Sequence, residues 1–296
     1  MNYTYYPGCS LSGSAMEYDV STRALMACLG VSLTDINDWN CCGATAGEAT
    51  SALLSLALGA RNLALAEQTD PNSDILVPCS ACYLNLKKAE IQRKEDAGIA
   101  QKLDTILAEE QLTLTNPPGV RHLLDVLVND ITTDTFYKKI IRPLNGLKIA
   151  PYYGCQCLRP YPVFDDPEAP VSMEGLVNAC GAKVFKWDMG ASCCGASNMS
   201  TKPGSARKLV QKILMAARGA DAIVTVCPMC QLNLEGFQTK ISHNAGIDLS
   251  ISILYLPQLM GLALGLGESE VKLDKNLALT PEFKEKLSGL TLAVQH

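Results

Sequence analysis

Five thiols recur twice along this chain in the same order. Cys9, the adjacent pair Cys41-Cys42 followed by Gly43, and Cys79-x-x-Cys82 form the first set. Cys155, Cys193-Cys194 followed by Gly195, and Cys227-x-x-Cys230 form the second. The intervening segments are 31, 36 and 2 residues long in the first set and 37, 32 and 2 in the second, and the copies are offset by about 150 residues. Thiols in this number and order point to two metal–sulfur centres. Zinc normally takes four ligands, and a cubane four-iron cluster takes four cysteines. A fifth thiol therefore suggests an iron–sulfur cluster that is not a simple cubane, or a ligand left free to react. The structural alternative is a pair of four-cysteine zinc sites, each with a bystander thiol. A thioredoxin-like dithiol at Cys79/Cys82 or Cys227/Cys230 would leave both Cys-Cys-Gly segments without a role.

The spacing carries local geometry. Cysteines three apart at a helix start lie on one face, where free N–H groups and the positive helix end favour thiolates. Neighbouring side chains on a regular element point apart. An adjacent Cys-Cys pair thus reaches one centre only from a turn or around a large cluster. Gly43 and Gly195 supply a residue that turns sharply and lets backbone approach closely.

The elements that must position these thiols alternate between strand and helix. The first copy reads as strand 3–6, helix 17–29, strand 31–36, helix 47–67 and strand 74–77, with a further helix opened by Cys79 to Cys82. The second reads as strand 148–153, helix 170–180, strand 182–187, helix 203–218 and strand 222–226. This pattern predicts an α/β fold of two homologous domains, each a mostly parallel sheet flanked by helices. Every cysteine group follows a predicted strand, so all should gather beyond the carboxyl ends of their sheet. Residues 97–141 are expected to be helical, broken at Asn116-Pro117-Pro118-Gly119. A boundary near Pro143 to Gly146 divides the chain into a first domain with a helical insertion, 1–145, and a second with a C-terminal extension, 146–296. The segment after Gly267 is more charged and is expected to pack peripherally or to dock a partner.

Composition narrows the class. The 296 residues, 48% hydrophobic and 19% charged, describe a globular protein with room for two cores. A net charge of −5 gives no general attraction to nucleic acid or anionic lipid. The N-terminus shows no secretory pattern. The greasiest stretch, Ile251 to Leu266, is short and interrupted by Pro257, Gln258 and glycines, so it reads as a buried strand running into a core helix and not as a membrane span. A cytoplasmic location is expected. Thirteen cysteines, an odd number, argue for metal or redox chemistry over a disulfide framework.

The duplicated pattern resembles the CCG (cysteine-rich) domain family, and within it the B subunits of heterodisulfide reductases. The likeness lies in YYPGCSL at Cys9, DWNCCGA from Asp38, VPCSACY from Val77, YYGCQCLRP from Tyr152, SCCGAS from Ser192, VCPMCQLNL from Val226 and the late LYLPQLMGLALG run. The resemblance implies two noncubane 4Fe-4S clusters, one on Cys9, Cys41, Cys42, Cys79 and Cys82 and the other on Cys155, Cys193, Cys194, Cys227 and Cys230, with Gly43 and Gly195 against them. One 4Fe-4S cluster and one zinc is the alternative loading. It also implies reduction of a disulfide between the clusters, or thiol oxidation in reverse, with electrons arriving through a ferredoxin-like subunit from a flavin subunit. The substrate class is a small-molecule or lipoyl disulfide or thiol: the coenzyme M–coenzyme B heterodisulfide in methanogens, lipoate-bound sulfur in sulfur oxidisers. A different reading within the family is an electron-transfer subunit of a quinone- or flavin-linked dehydrogenase without disulfide turnover. A cluster- or zinc-stabilised scaffold is the non-enzymatic reading.

The remaining candidates have plainer expectations. His122, His243 and His296 are read as surface or packing histidines. Cys28 and Cys180 are read as small buried hydrophobes; Cys157 is read as packing by default, with a spare ligand or a reactive thiol as the alternatives. Tyr5, Tyr6, Tyr152 and Tyr153 either line a groove or fill the core. Lys87, Lys88, Arg93 and Lys94 form a basic face, read as solvated, with docking of an acidic partner as the alternative. Arg159 is a candidate to neutralise cluster charge or to bind an acidic substrate.

Overall fold

Apolar runs too short for helices, such as Ile75–Val77 and Ala222–Thr225, are buried along their whole length, as expected of central strands covered on both faces. The computed structural model describes residues 1–44, 46–131 and 133–290. Strands β1 (Asn2–Tyr5), β2 (Ser32–Asp35), β3 (Ile75–Val77) and β4 (Val120–His122) form one sheet in the order β2-β1-β3-β4. Strands β5 (Lys148–Tyr152), β6 (Lys183–Val184), β7 (Ala222–Thr225) and β8 (Ser252–Tyr255) form the other in the order β6-β5-β7-β8. Every pairing is parallel, with Tyr5 opposite Leu76 and Tyr152 opposite Thr225. The fold is the expected one, two homologous α/β domains with helices flanking each sheet. The chain leaves the first strand of each sheet in one direction and returns to build on its other side. Beyond the carboxyl ends of β1 and β3, and of β5 and β7, this reversal opens the crevice where ligands bind in such folds.

The two halves are related by an approximate two-fold. The Met16–Cys28 helix, which follows β1, packs on the Leu256–Ala263 helix, which follows β8. Reciprocally, the Leu123–Asn129 helix after β4 packs on the Ser172–Ala179 helix after β5. Each contact carries an aromatic stack: Tyr18 on Tyr255 at 4.1 Å between centroids and 6° between planes, and Phe164 on His122 at 6.0 Å and 8°. This is the reciprocal geometry of an isologous dimer interface, written within one chain. One continuous hydrophobic core, containing Tyr18, Leu25, Leu124, Val177, Tyr255 and Leu259, runs across it.

Several expectations are refined. The long helix after Gly43 is two helices, Ala46–Thr50 and Ala52–Thr69, because Ser51 is extended and its hydroxyl accepts from Leu54 N–H at 3.4 Å to cap the second. The stretch expected to be helical from 97 to 141 contains a strand, β4, directly after the predicted break. Three residues are too few for a period-2 pattern, and pairing with β3 decides their state. The predicted strand 182–187 shortens to β6. The greasy run is, as expected, a buried strand (β8) entering a core helix. Pro257 sits in that helix's first turn, where no N–H is needed. Gln258 Oε1 accepts from Tyr255 N–H at 3.0 Å. After Gly267 the chain packs down through buried Val271, Leu273, Phe283 and Leu287. His296 lies outside the described residues. Among the described residues no helix is long and apolar enough to cross a membrane.

Candidate metal centres

All three thiol groups of each half leave the carboxyl ends of adjacent strands, so segments more than 30 residues apart in sequence meet at one crevice. In the first half Cys41 Sγ lies 4.0 Å from Cys9 Sγ, and Cys42 Sγ lies 3.4 Å from Cys82 Sγ. In the second, Cys194 Sγ lies 3.5 Å from Cys230 Sγ, and Cys155 meets Cys193. Cys79 and Cys227, related by the two-fold, touch each other, so the two thiol sets adjoin across the axis. All thirteen cysteines are free. Cys9, Cys41 and Cys193 are exposed and Cys155 is half-buried, whereas the CxxC thiols are buried. Each set therefore has an outward rim and a dry base. Among the described residues no three His, Cys, Asp or Glu side chains have the spacing of a site for a metal ion.

Sulfur–sulfur contacts push the thiols of each set in opposite directions. Cys82 holds the Cys42 thiol down to about 7, with help from the Ala44 N–H and against the cost of burial. Cys155 holds Cys193 down to about 6, aided by the Gly195 N–H, which donates to Cys193 Sγ at 3.3 Å, and by the charge of Arg159. Cys227 is held well below the ordinary thiol value by Cys230 and Cys79. Cys82, Cys155, Cys79 and Cys230 move the other way. Cys79 and Cys227 are the N-cap residues of the Ser80–Glu95 and Pro228–Gly236 helices, whose free N–H groups and positive ends stabilise anionic sulfur.

The scaffold around the thiols is duplicated as closely as the thiols. Tyr6 donates its hydroxyl to Asn40 C=O at 2.7 Å, and Tyr152 to Ser192 C=O at 2.6 Å, each tying the residue before Cys-Cys to the first strand. Asn85 Nδ2 donates to Cys42 C=O at 3.1 Å, and Asn233 Nδ2 to Cys194 C=O at 2.7 Å, fastening the second cysteine of each pair to the CxxC helix. A Cβ on Gly8 would stand 2.8 Å from Cys82 Sγ, and one on Gly154 3.0 Å from Cys230 Sγ. Both glycines have positive φ, 69° and 70°. Gly43 and Gly195 turn the chain after each pair at φ 80° and 77°. From the sequence, Asn85, Asn233, Gly8 and Gly154 carry no site role, and Tyr6 and Tyr152 only the choice between a groove and the core. Each pair nevertheless occupies matching positions in the two repeats, so aligning the halves on one another would have found them.

The other candidates take structural places. Tyr5, Tyr6, Tyr152 and Tyr153 are core residues. Cys157 is buried and donates its S–H to Tyr153 C=O at 3.2 Å, and burial pushes its thiol up to about 12. Cys180 is buried and Cys28 half-buried. Arg159 spends its guanidinium on Pro167 C=O, Glu168 and Ala191 C=O, which leaves it near Cys193 as fixed positive charge. The basic face is not simply solvated: Lys87 pairs with Glu90, Lys88 with Glu48 and Arg93 with Asp104. His122 is a fully buried packing histidine. Its Nδ1 accepts from Leu124 N–H at 3.1 Å, so Nε2 carries the proton toward Ser80 Oγ at 3.2 Å, and Ser80 in turn donates to Val226 C=O of the other half at 3.1 Å.

A cleft of about 830 Å³ opens between the two halves. Ala46, Ala49 and Lys88 wall it from the first half, and Gln156, Ser197 and Met229 from the second. Gln156, Ser197 and Met229 also line a small recess that reaches Cys155, Cys193 and Cys227.

Comparison with known proteins agrees with this duplication. The cysteine-rich domain family, CCG, matches residues 3–87 and again 149–235. The chain is 35% identical over 279 residues to the 8-methylmenaquinol:fumarate reductase membrane anchor subunit of Wolinella succinogenes, covering 93% of this chain and 96% of that protein. It is 30% identical over 297 residues to the B subunit of the ferredoxin/F420H2-dependent CoB-CoM heterodisulfide reductase of Methanosarcina acetivorans, covering 98% of each. It is 29% identical over 280 residues to a protein of Archaeoglobus profundus named for its likeness to the heterodisulfide reductase B subunit, covering 92% of this chain and 93% of that one. Among solved structures, a hypothetical protein from Helicobacter pylori shares the fold at TM-score 0.75 and 15% identity, over 95% of this chain and 52% of that one; the chain spans about half its length. Duplicated cysteine-rich domains and these relatives support an iron–sulfur oxidoreductase subunit that works within a complex. The chain belongs to the CCG cysteine-rich domain family, with two copies of the domain, and is a homologue of the heterodisulfide reductase B subunit.

Proposed function

We propose that this chain is the catalytic iron–sulfur subunit of a heterodisulfide reductase-like complex, reducing a disulfide, or oxidising two thiols in reverse, between two noncubane 4Fe-4S clusters. One observation carries the reading: two five-thiol sets related by a two-fold adjoin at Cys79 and Cys227, and a cleft walled by both halves meets, at Gln156, Ser197 and Met229, the recess that reaches the second set. Cys9, Cys41, Cys42, Cys79 and Cys82 would hold one cluster, and Cys155, Cys193, Cys194, Cys227 and Cys230 the other. The donor sets fit such a group: they are all soft thiol, based on helix N-termini, with Gly8 and Gly154 leaving room where a Cβ would crowd sulfur. Bound there, the clusters would supply electrons and thiophilic iron for the two sulfurs. The protein's part is to hold thiolates at the helix ends, to place Gly43 and Gly195 where the backbone turns, and to admit a slender substrate between Ala46, Ala49, Ser197 and Met229. Among the described residues lining the cleft, Lys88 is the one cation, and Glu48 neutralises it at 2.8 Å. That lining suits a disulfide of low charge, such as a lipoyl group, better than a doubly anionic one. Electrons would come through a ferredoxin-like subunit from a flavin subunit, in the cytoplasm. We place the domain boundary at 145/146.

A second reading, electron transfer for a quinone- or flavin-linked dehydrogenase without disulfide turnover, is favoured by the similarity to the quinol:fumarate reductase subunit. Anaerobically purified complex separates the two. The disulfide reading expects about eight irons and eight acid-labile sulfides per chain, an EPR signal of the oxidised form that changes on adding thiol, and viologen-driven lipoamide reduction. Quinol-dependent fumarate reduction with no thiol-sensitive signal supports the second reading instead. Zinc without iron removes both.

A further inference from the structure

Beside the Tyr18–Tyr255 stack lies a pocket of about 110 Å³ that no cysteine lines. Its walls include Glu17 of the Met16–Cys28 helix and Gln231 and Glu235 of the Pro228–Gly236 helix, which are 7%, 1% and 8% exposed. Two buried carboxyls facing one cavity whose one cation among the described residues is the exposed Lys275 are costly unless at least one is protonated. Neither forms an ion pair among the described residues; Lys275, on the same wall, turns to Asp274 at 3.8 Å. Gln231 Nε2 donates to Glu235 Oε1 at 3.0 Å and to Ile253 C=O at 3.2 Å. Among the described residues its own Oε1 is buried with no hydrogen-bond partner. The groups facing Glu235 are Glu17, Tyr255 at the end of β8, and Lys275. Glu235 accepts a further hydrogen bond from Ala278 N–H at 3.3 Å. Burial holds the Glu235 carboxyl up at about 8, with Glu17 raising it further, and burial also raises Glu17.

Two features connect the pocket to its surroundings. Leu232 and Leu277, both exposed, stand at its outer edge. Met229 lines the pocket, the recess at the second thiol set and the shared cleft. One flexible thioether is therefore common to the carboxyl pair and to the place where sulfur chemistry would occur.

We propose that this pocket is a proton-loading site: the Glu17–Glu235 pair stores a proton, with water donating to Gln231 Oε1, and delivers it past Met229 to sulfur released in the cleft. The inference rests on the disulfide reading above. Reduction there breaks one S–S bond, takes two electrons from the donor subunit and two protons, one from the carboxyl pair, which reloads from solvent, and one from solvent directly, and forms two S–H bonds. The ten thiols supply no spare acid for this, because as metal ligands they are thiolates. A pocket outside the thiol shell supplies one.

The test uses the assembled complex with Glu235→Gln and Glu17→Gln. Either amide keeps an acceptor oxygen and the side-chain volume but holds no transferable proton. For Glu235→Gln, kcat for lipoamide reduction should fall by about tenfold or more, KM should stay within about twofold, and the alkaline limb near pH 8 should disappear. Glu17→Gln should lower kcat in the same direction. Infrared spectra of the wild-type complex should show a protonated carboxyl C=O band that titrates near pH 8 and is missing in Glu235→Gln. Unchanged kcat and pH profile in both variants, at normal iron content, would overturn the proposal; so would a wild-type complex without that band. If the wild type turns over no disulfide, the functional reading above fails, and the band alone decides whether the pocket stores a proton.

Discussion

At the scale of single residues, the glycines before Cys9 and Cys155 show how tightly each set is built. Gly8 and Gly30 both hold positive φ, 69° and 77°, but a Cβ on Gly8 would meet Cys82 Sγ at 2.8 Å, whereas one on Gly30 would meet nothing within 4 Å. Gly30→Ala should therefore cost only the strain of the left-handed backbone, about 1 kcal/mol, and leave metal content intact. Gly8→Ala carries the same strain and also displaces a thiol, so about half the iron should be lost on purification. Equal iron in the two variants would show that the close approach to sulfur is unimportant. The paired tyrosines and asparagines act at this scale too. They fix backbone carbonyls beside the Cys-Cys turns, which have no ladder of their own to hold them.

Elements are held in register by groups at their ends. His122 ends β4, caps the Leu123–Asn129 helix through Nδ1, and reaches the other half through Ser80. Burial lowers its pKa from 6.5 to about 4. The unfolded chain thus binds a proton at His122 that the folded chain refuses. Stability should be fully present above pH 6.5 and fall as pH drops toward 4. His122→Asn keeps a capping acceptor but does not titrate, so its stability should decline less over that interval. Urea titrations at pH 7 and pH 5 measure the difference, and identical slopes in the two proteins would exclude His122 as the source. At pH 7 the variant should lose about 1–2 kcal/mol, because the bridge through Ser80 to Val226 is broken.

For the whole molecule, the reciprocal helix contacts make the halves a single folding unit. The core runs without interruption from Leu25 and Leu124 to Val177 and Leu259, and Tyr18, stacked on Tyr255, also donates to Pro78 C=O at 2.9 Å beside the first CxxC. Calorimetry should show one cooperative transition whose van't Hoff and calorimetric enthalpies agree. Tyr18→Ala should lower the stability of the entire chain by about 3–5 kcal/mol, not that of one half. Two resolved transitions, with only one moved by Tyr18→Ala, would mean that the halves fold separately. The same arrangement explains why the duplication matters for function: the contact that joins the halves brings Cys79 against Cys227.

What the sequence determined by itself was whatever repeats locally. The order and spacing of the thiols, the strand before each group and the helix after it are written in short-range patterns, and with strands parallel they require all the thiols to collect at one end of each sheet. The buried strand and helix from Ile251 were legible because an apolar run broken by a proline has few other places to go. Other features depended on contacts between distant segments. The strand at Val120–His122 exists because β3 offers it a partner, and three residues carry no period of their own. Arg159, Lys87 and Lys88 read as free cations until their carboxylate and carbonyl partners, set by the fold, came alongside. The meeting of Cys79 with Cys227 and the burial of Glu17 beside Glu235 join residues from opposite halves. Only the packing of two apolar faces across the pseudo-two-fold decides which of them meet.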